Sequence, residues 1–183
     1  IPKSDGSIED STRDPHFWLD PSLMTKVVTG FATELAEADP AHSASYRANA
    51  QALNQRLEEL DATYQAGLAQ CRIRSIVVSH NAFSYLASRY DLTVHSIAGL
   101  SPDAEPSPKY LHQLTELIRS EGITTVFYEP IASRSSAQTV ATETGTSLAV
   151  LDPIEGVPAN STADYFSLMQ ANLLALQKAN QCQ

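Results

Sequence analysis

An imidazole and two carboxylates hold the first chemical signal in this sequence. His80, Glu129 and Asp152 each directly follow a short apolar run: Ile73 to Ser79, Thr124 to Tyr128 and Ser147 to Leu151. If those runs are parallel strands, all three side chains stand beyond the carboxyl edge of one sheet, where open α/β folds bind their ligands. A nitrogen donor with a hard oxygen donor suits Zn²⁺, whereas Mn²⁺ prefers more oxygen. The same pair suits acid–base work or the electrostatic support of a loop. Taken singly, His80 reads as a satisfied, partly buried histidine, and Asp152 as a cap or turn residue before Pro153.

A second candidate imidazole, His16, lies in Asp14-Pro15-His16-Phe17-Trp18-Leu19-Asp20-Pro21, beside the single tryptophan. Two proline-containing turns leave its backbone little freedom, which lowers the entropy lost on binding. The plainer reading is a loop anchored by Phe17 and Trp18. His42, His95 and His112 read as a solvated helix-start residue, a strand residue and a helix residue. Ser79-His80 is no nucleophile–base pair, because neighbours on a strand point to opposite faces. No phosphate-binding glycine loop, nucleophile elbow or His-Glu-x-x-His pattern occurs.

The elements that must position these groups alternate. Residues 1–21 read as an extended loop. A helix follows from Ser22, as N-cap, to Ala38, with Leu23, Val27, Val28, Phe31 and Leu35 on one face. A second helix runs from Pro40, capped by Asp39, to Leu68. Its stripe is Tyr46, Ala50, Leu53, Leu57, Leu60 and Tyr64, and its length is ~40 Å at 1.5 Å per residue. Such a helix suits a strut between two lobes. From Cys71 onward, strands at 73–79, 93–97, 124–128 and 147–151 alternate with helices at 82–90, 107–120, 133–144 and 163–179. Ser107 and Ser133 read as N-caps, and Gly122 and Gly145 end their helices. Four alternations predict a four-stranded parallel sheet with helices on both faces. The loop 99–106 adds two carboxylates, Asp103 and Glu105.

Composition narrows the partners. The 183 residues are 43% hydrophobic and 18% charged, so the chain should fold. A formal net charge of −9 with no basic stripe argues against nucleic acid. No apolar run reaches the ~18 residues of a membrane span. The opening Ile1-Pro2-Lys3-Ser4-Asp5-Gly6 reads as a loop from which a leading segment has been removed. Cys71 and Cys182 lack Cys-x-x-Cys spacing, so they read either as one disulfide in an oxidising compartment or as two unrelated thiols.

These segments, in order, resemble the metal-binding proteins of zinc and manganese ABC importers, in which a rigid helix joins two lobes. Asp14 to Pro21 looks like the family's second-ligand segment, and Asp39-Pro40 looks like the start of its connecting helix. Val77-Val78-Ser79-His80-Asn81-Ala82-Phe83-Ser84-Tyr85-Leu86 looks like its third-ligand segment. The loop from Gly99-Leu100-Ser101 to Ser107-Pro108 looks like the one before its following helix. Thr125 to Pro130 and Leu151-Asp152-Pro153-Ile154 look like its last two core strands.

The resemblance covers nearly the whole chain and implies a capture protein, not an enzyme. His16, His80 and Asp152 would be zinc ligands, and Glu129 would hold a ligand or loop from behind. The histidine at position 80 resembles the zinc subgroup, where manganese members carry Glu. Residues 1–38 would be a remnant of an N-terminal lobe, 39–70 the connecting helix and 71–183 the C-terminal α/β lobe. The family's first ligand histidine would lie upstream of Ile1, which leaves one zinc position open and His16 poorly held. The implied partner is an ABC importer permease, with no nucleic acid and no membrane insertion. The implied state is a monomer, periplasmic or extracellular, or lipid-anchored through a preceding segment. The rivals are a manganese-type member, a zinc hydrolase with Glu129 as general base, and a metal-free module that binds through its long helix.

Overall fold

A computed structural model of the chain describes residues 14–100, 106–131, 133–157 and 161–183. The expected loop at residues 1–21 therefore lies outside the described residues up to position 13, and so do Asp103 and Glu105. From Asp14 the chain is irregular, makes a 3₁₀ turn over Phe17–Leu19 and enters helix α1, Pro21–Ala38. Asp20, not Ser22, caps α1: its carboxylate accepts the Ser22 amide at 2.8 Å, and Pro21 occupies the first turn.

The long helix begins later than its periodicity suggests. Pro40–His42 forms a 3₁₀ turn, and α2 spans Ser43–Leu68. Asp39 makes no cap bond to the backbone there. Its carboxylate instead meets His42 Nδ1 at 2.7 Å and accepts the Tyr46 hydroxyl at 2.9 Å.

Beyond Cys71 the elements are β1 (Ser75–Val78), α3 (Ser84–Arg89), β2 (Thr93–Ser96), α4 (Pro108–Glu121), β3 (Thr125–Tyr128), α5 (Ser135–Thr144), β4 (Ser147–Val150) and α6 (Tyr165–Asn180). Ser107 caps α4, and Gly122, at φ 65°, ends it in the left-handed conformation that glycine adopts freely. Helix α5 starts at Ser135, two residues after the expected cap. Asp164 and Ser167 form a reciprocal capping box at the start of α6.

The four strands are parallel in the order β2-β1-β3-β4. Alternation along β1 and β3 divides the core between the two faces of the sheet. Ile76, Val78 and Phe127 face α2, α3 and α6, joined by Leu60, Tyr64, Leu86, Met169 and Leu176. Val77 and Val126 face α4 and α5, with Leu114, Ile118 and Val140. Helices thus cover both faces of a four-stranded parallel sheet. The chain turns outward from β1 to β2 and then returns to the other side of β1 with β3. The reversal point of the strand order therefore lies between β1 and β3, and the loops after those strands part there to leave a crevice.

The two cysteines form a disulfide that ties the segment just after α2 to the segment just after α6. It lies across an isolated antiparallel bridge and spans 111 positions.

Candidate metal centre

His80 stands two residues beyond β1, at the reversal point. Its ring is fully buried, and its loop is fixed by Ala98 N to Ser79 O at 2.8 Å and by Asn81 N to Gly99 O at 2.9 Å. Glu129, the residue after β3, reaches across from the neighbouring strand. One of its oxygens lies 2.6 Å from His80 Nδ1 and accepts the His80 amide at 3.3 Å. Glu129 is 3% exposed and sits behind the ring.

His16 arrives from the other end of the sequence and is also buried. Asp14 Oδ1 lies 2.7 Å from its Nδ1 and accepts its amide at 3.0 Å. The other Asp14 oxygen is buried with no partner among the described residues. The surrounding segment is pinned to the α/β body. Trp18 Nε1 donates to Pro153 O at 2.8 Å, the Tyr165 hydroxyl donates to Trp18 O at 2.7 Å, and Leu19 is fully buried in the sheet–helix core. The expectation that His16 would be poorly held is therefore corrected: its anchors belong to the body itself.

Both rings carry the same arrangement. Beside an ionised carboxylate, which only accepts, a neutral ring carries its proton on Nδ1 and offers the Nε2 lone pair. The two Nε2 atoms are 3.5 Å apart, and a third acceptor, Glu155 Oε1, lies 3.0 Å from His16 Nε2 and 3.7 Å from His80 Nε2. Three acceptors facing one point need a positive charge between them, either a proton or a cation. Tetrahedral zinc with bonds of about 2.0–2.1 Å places its ligand atoms about 3.3 Å apart, so the spacing fits that ion.

His16 responds to this setting. Burial is the largest single influence and opposes its charge, but the hydrogen bonds to Asp14 and Glu155 together outweigh it and raise the pKa above the ordinary histidine value.

Asp152 lies outside this group. Its Oδ1 accepts the Ile154 amide at 2.8 Å, so the carboxylate is folded back on its own turn. The structure brings His16 and His80 together with Glu155, three residues further along than the acid that the sequence reading singled out. That reading stopped at the strand end. The missed signal was a second acid just beyond the proline of Asp152-Pro153-Ile154-Glu155, where a turn can swing a side chain back over the sheet edge.

Residues 2–179 match the family described as zinc-uptake complex component A, periplasmic. The chain belongs to this family. It is 38% identical over 168 residues to the zinc-binding lipoprotein AdcA of Streptococcus pneumoniae, covering 90% of this chain and 34% of that protein. It is 34% identical to the high-affinity zinc uptake system protein ZnuA of Bacillus subtilis, covering 90% of this chain and 52% of that one. A solved Zn(II)-bound variant of AdcAII from Streptococcus pneumoniae superposes with a TM-score of 0.85 at 33% identity, covering 96% of this chain and 64% of that structure. The chain thus spans about a third to a half of the length of these curated relatives. Among the described residues, no helix is long and apolar enough to cross a membrane.

Proposed function

We propose that this chain is the C-terminal part of a two-lobed, extracytoplasmic solute-binding protein that captures Zn²⁺ and passes it to an ABC importer. One observation carries the reading: His16 Nε2, His80 Nε2 and Glu155 Oε1 converge within 4.8 Å of one another, beyond the carboxyl edge of the sheet. His16, His80 and Glu155 would bind zinc directly. Asp14 and Glu129 would hold the two rings in the tautomer that offers Nε2. Asp152 would shape the turn that carries Glu155.

The names of the relatives support zinc as cargo, and two nitrogen donors in a set of three favour zinc over manganese. Helix α1 would belong with a first lobe, the His16 segment before it being anchored to the α/β body, and α2 would be the strut between them. A fourth ligand from that lobe would complete the tetrahedron. The partner would be the importer's permease, and the location periplasmic or extracellular, with a lipid anchor as in the AdcA relative.

The hydrolase reading has less support. Glu129, its general base, is buried behind His80 with one oxygen committed to that ring, and it does not face the point where the three acceptors meet.

Isothermal titration of the chelator-stripped chain with Zn²⁺ and Mn²⁺ tests the reading. One zinc per chain is expected, with manganese much weaker. Glu155→Gln should weaken zinc by about 10–100-fold, whereas Asp152→Asn should cost less. A larger loss at Asp152 than at Glu155 would reverse the assignment of the third ligand. Zinc affinity should fall as pH is lowered, because protons compete for Nε2. The raised pKa of His16 makes that competition begin above the ordinary histidine range.

A further inference from the structure

From the geometry of the turn after β4 we infer that Asn172 and Ile154 are positioning residues for Glu155; the inference rests on the zinc site just proposed. The three residues before Glu155 are each held by a different side chain. Asn172, on α6 and 2% exposed, accepts the Asp152 amide at 2.8 Å and donates to the Asp152 carbonyl at 2.7 Å. Pro153 has no N–H to fix, and its carbonyl accepts Trp18 Nε1 at 2.8 Å. The Ile154 amide is held by Asp152 Oδ1 at 2.8 Å.

Ile154 itself adopts φ 57°. A β-branched residue in the left-handed region is a strained choice that persists only where its surroundings over-determine it. Here the surroundings are the three hydrogen-bonded anchors and the packing of the Ile154 side chain against the sheet–helix core. The residue after it is Glu155.

Core packing alone does not account for this arrangement. A leucine at 172 would fill the same interior space but leave the Asp152 amide and carbonyl without these partners. Instead a buried amide is committed wholly to one residue's backbone, three positions before the metal-facing carboxylate. The Trp18 contact then fixes the turn relative to the His16 segment, so the 3.0 Å approach of Glu155 to His16 Nε2 is set from both sides. Glu155 is itself about one-third exposed, and burial does not hold it. Its aim comes from the turn. A carboxylate fixed before the ion arrives loses less freedom on binding, and affinity gains by that amount.

A double-mutant cycle tests this. Asn172→Leu and Ile154→Gly are each made in the natural chain and in the Glu155→Gln chain. The Zn²⁺ dissociation constant is read by competition with a chromophoric chelator. In the natural background each change should raise the dissociation constant about tenfold. With Glu155 already replaced, the same changes should shift it by less than about twofold, because their effect runs through that carboxylate. Ile154→Asn, which tolerates the left-handed region, should restore most of the affinity lost with glycine.

Equal shifts in the two backgrounds would overturn the inference, as would no shift in the natural one. If Glu155→Gln alone leaves zinc binding unchanged, the site assignment falls and takes this inference with it. Should Asn172→Leu fail to fold, Ile154→Gly still decides, since it removes no buried polar partner.

Discussion

The two halves of α2 carry apolar residues at the same spacing and meet opposite surroundings. Leu57, Leu60, Tyr64 and Leu68 in the second half are all at most 4% exposed; the last three pack in the core under the sheet, with the Tyr64 hydroxyl bonded to Met169 O at 2.6 Å. In the first half, Leu53 is 36% exposed, and opposite it on α1 Val27 and Phe31 are 44% and 67% exposed. They line an open apolar groove of about 300 Å³ with Val28, Leu35 and Tyr46. The body of the protein is therefore everything that touches the sheet, and it includes His16 and Trp18 even though they precede α1. The hairpin of α1 with the first half of α2 stands apart, its apolar face uncovered among the described residues. Sequence neighbours can belong to different regions: His16 lies five residues before α1 but is anchored to the turn after β4.

Substitutions should separate the two regions, and the largest effect is expected at the body's polar edge. His80→Ala removes a proposed zinc donor and leaves Glu129 buried without its ring. Zinc affinity should fall by more than about a hundredfold, and stability by about 3–5 kcal/mol, in calorimetric titration and urea melts. A zinc affinity that survives would take His80 out of the site. Leu60→Ala, under the sheet, should cost about 2–5 kcal/mol, because transfer and cavity terms add. Replacing both Cys71 and Cys182 by Ser should cost about 2–5 kcal/mol through the loop that the disulfide closes. Zinc affinity should hardly change, since the disulfide joins the carboxyl ends of α2 and α6 just before β1 begins, whereas the site lies beyond the carboxyl edge of the sheet. A large loss of zinc binding there would mean that the staple also shapes the crevice. The smallest effect belongs to the hairpin. Phe31→Ser should move the melting of this chain by no more than about 0.5 kcal/mol, while lowering self-association in light scattering. A strong destabilisation would show that the exposed face is already packed in solution.

Much of the fold was legible because its signals are local. Ser107-Pro108 and Gly122 bracket α4 through one cap bond, one pre-set φ and one left-handed residue, all within reach of neighbouring positions. The alternating apolar runs give four strands and their parallel sense, because each strand is followed by a helix that must carry the chain back. Boundaries were less legible where side chains had a choice. Asp39 spends its carboxylate on His42 and Tyr46 and leaves the backbone cap unmade, and Ser22 gives way to Asp20 as the cap of α1.

The candidate site divides in the same way. His80 and Glu129 could be placed from sequence, because a strand end is a local event and the parallel sheet then aligns such ends along one edge. His16 could be singled out by its setting, but not located. The choice between Asp152 and Glu155 was made by tertiary structure alone. Both are acids near the end of β4, and local rules cannot say which of them faces the imidazoles. Asn172 from α6 and Trp18 from the far end of the chain fix the backbone of the turn, and Ile154 takes a left-handed conformation that its residue type disfavours. Asp152 is thereby turned back onto the chain and Glu155 toward His16. Residue types and their periodicity determined which elements form and that donors gather at one edge. The direction of a single carboxylate depended on contacts among residues 18, 152–154 and 172, and only the packed chain brings those together.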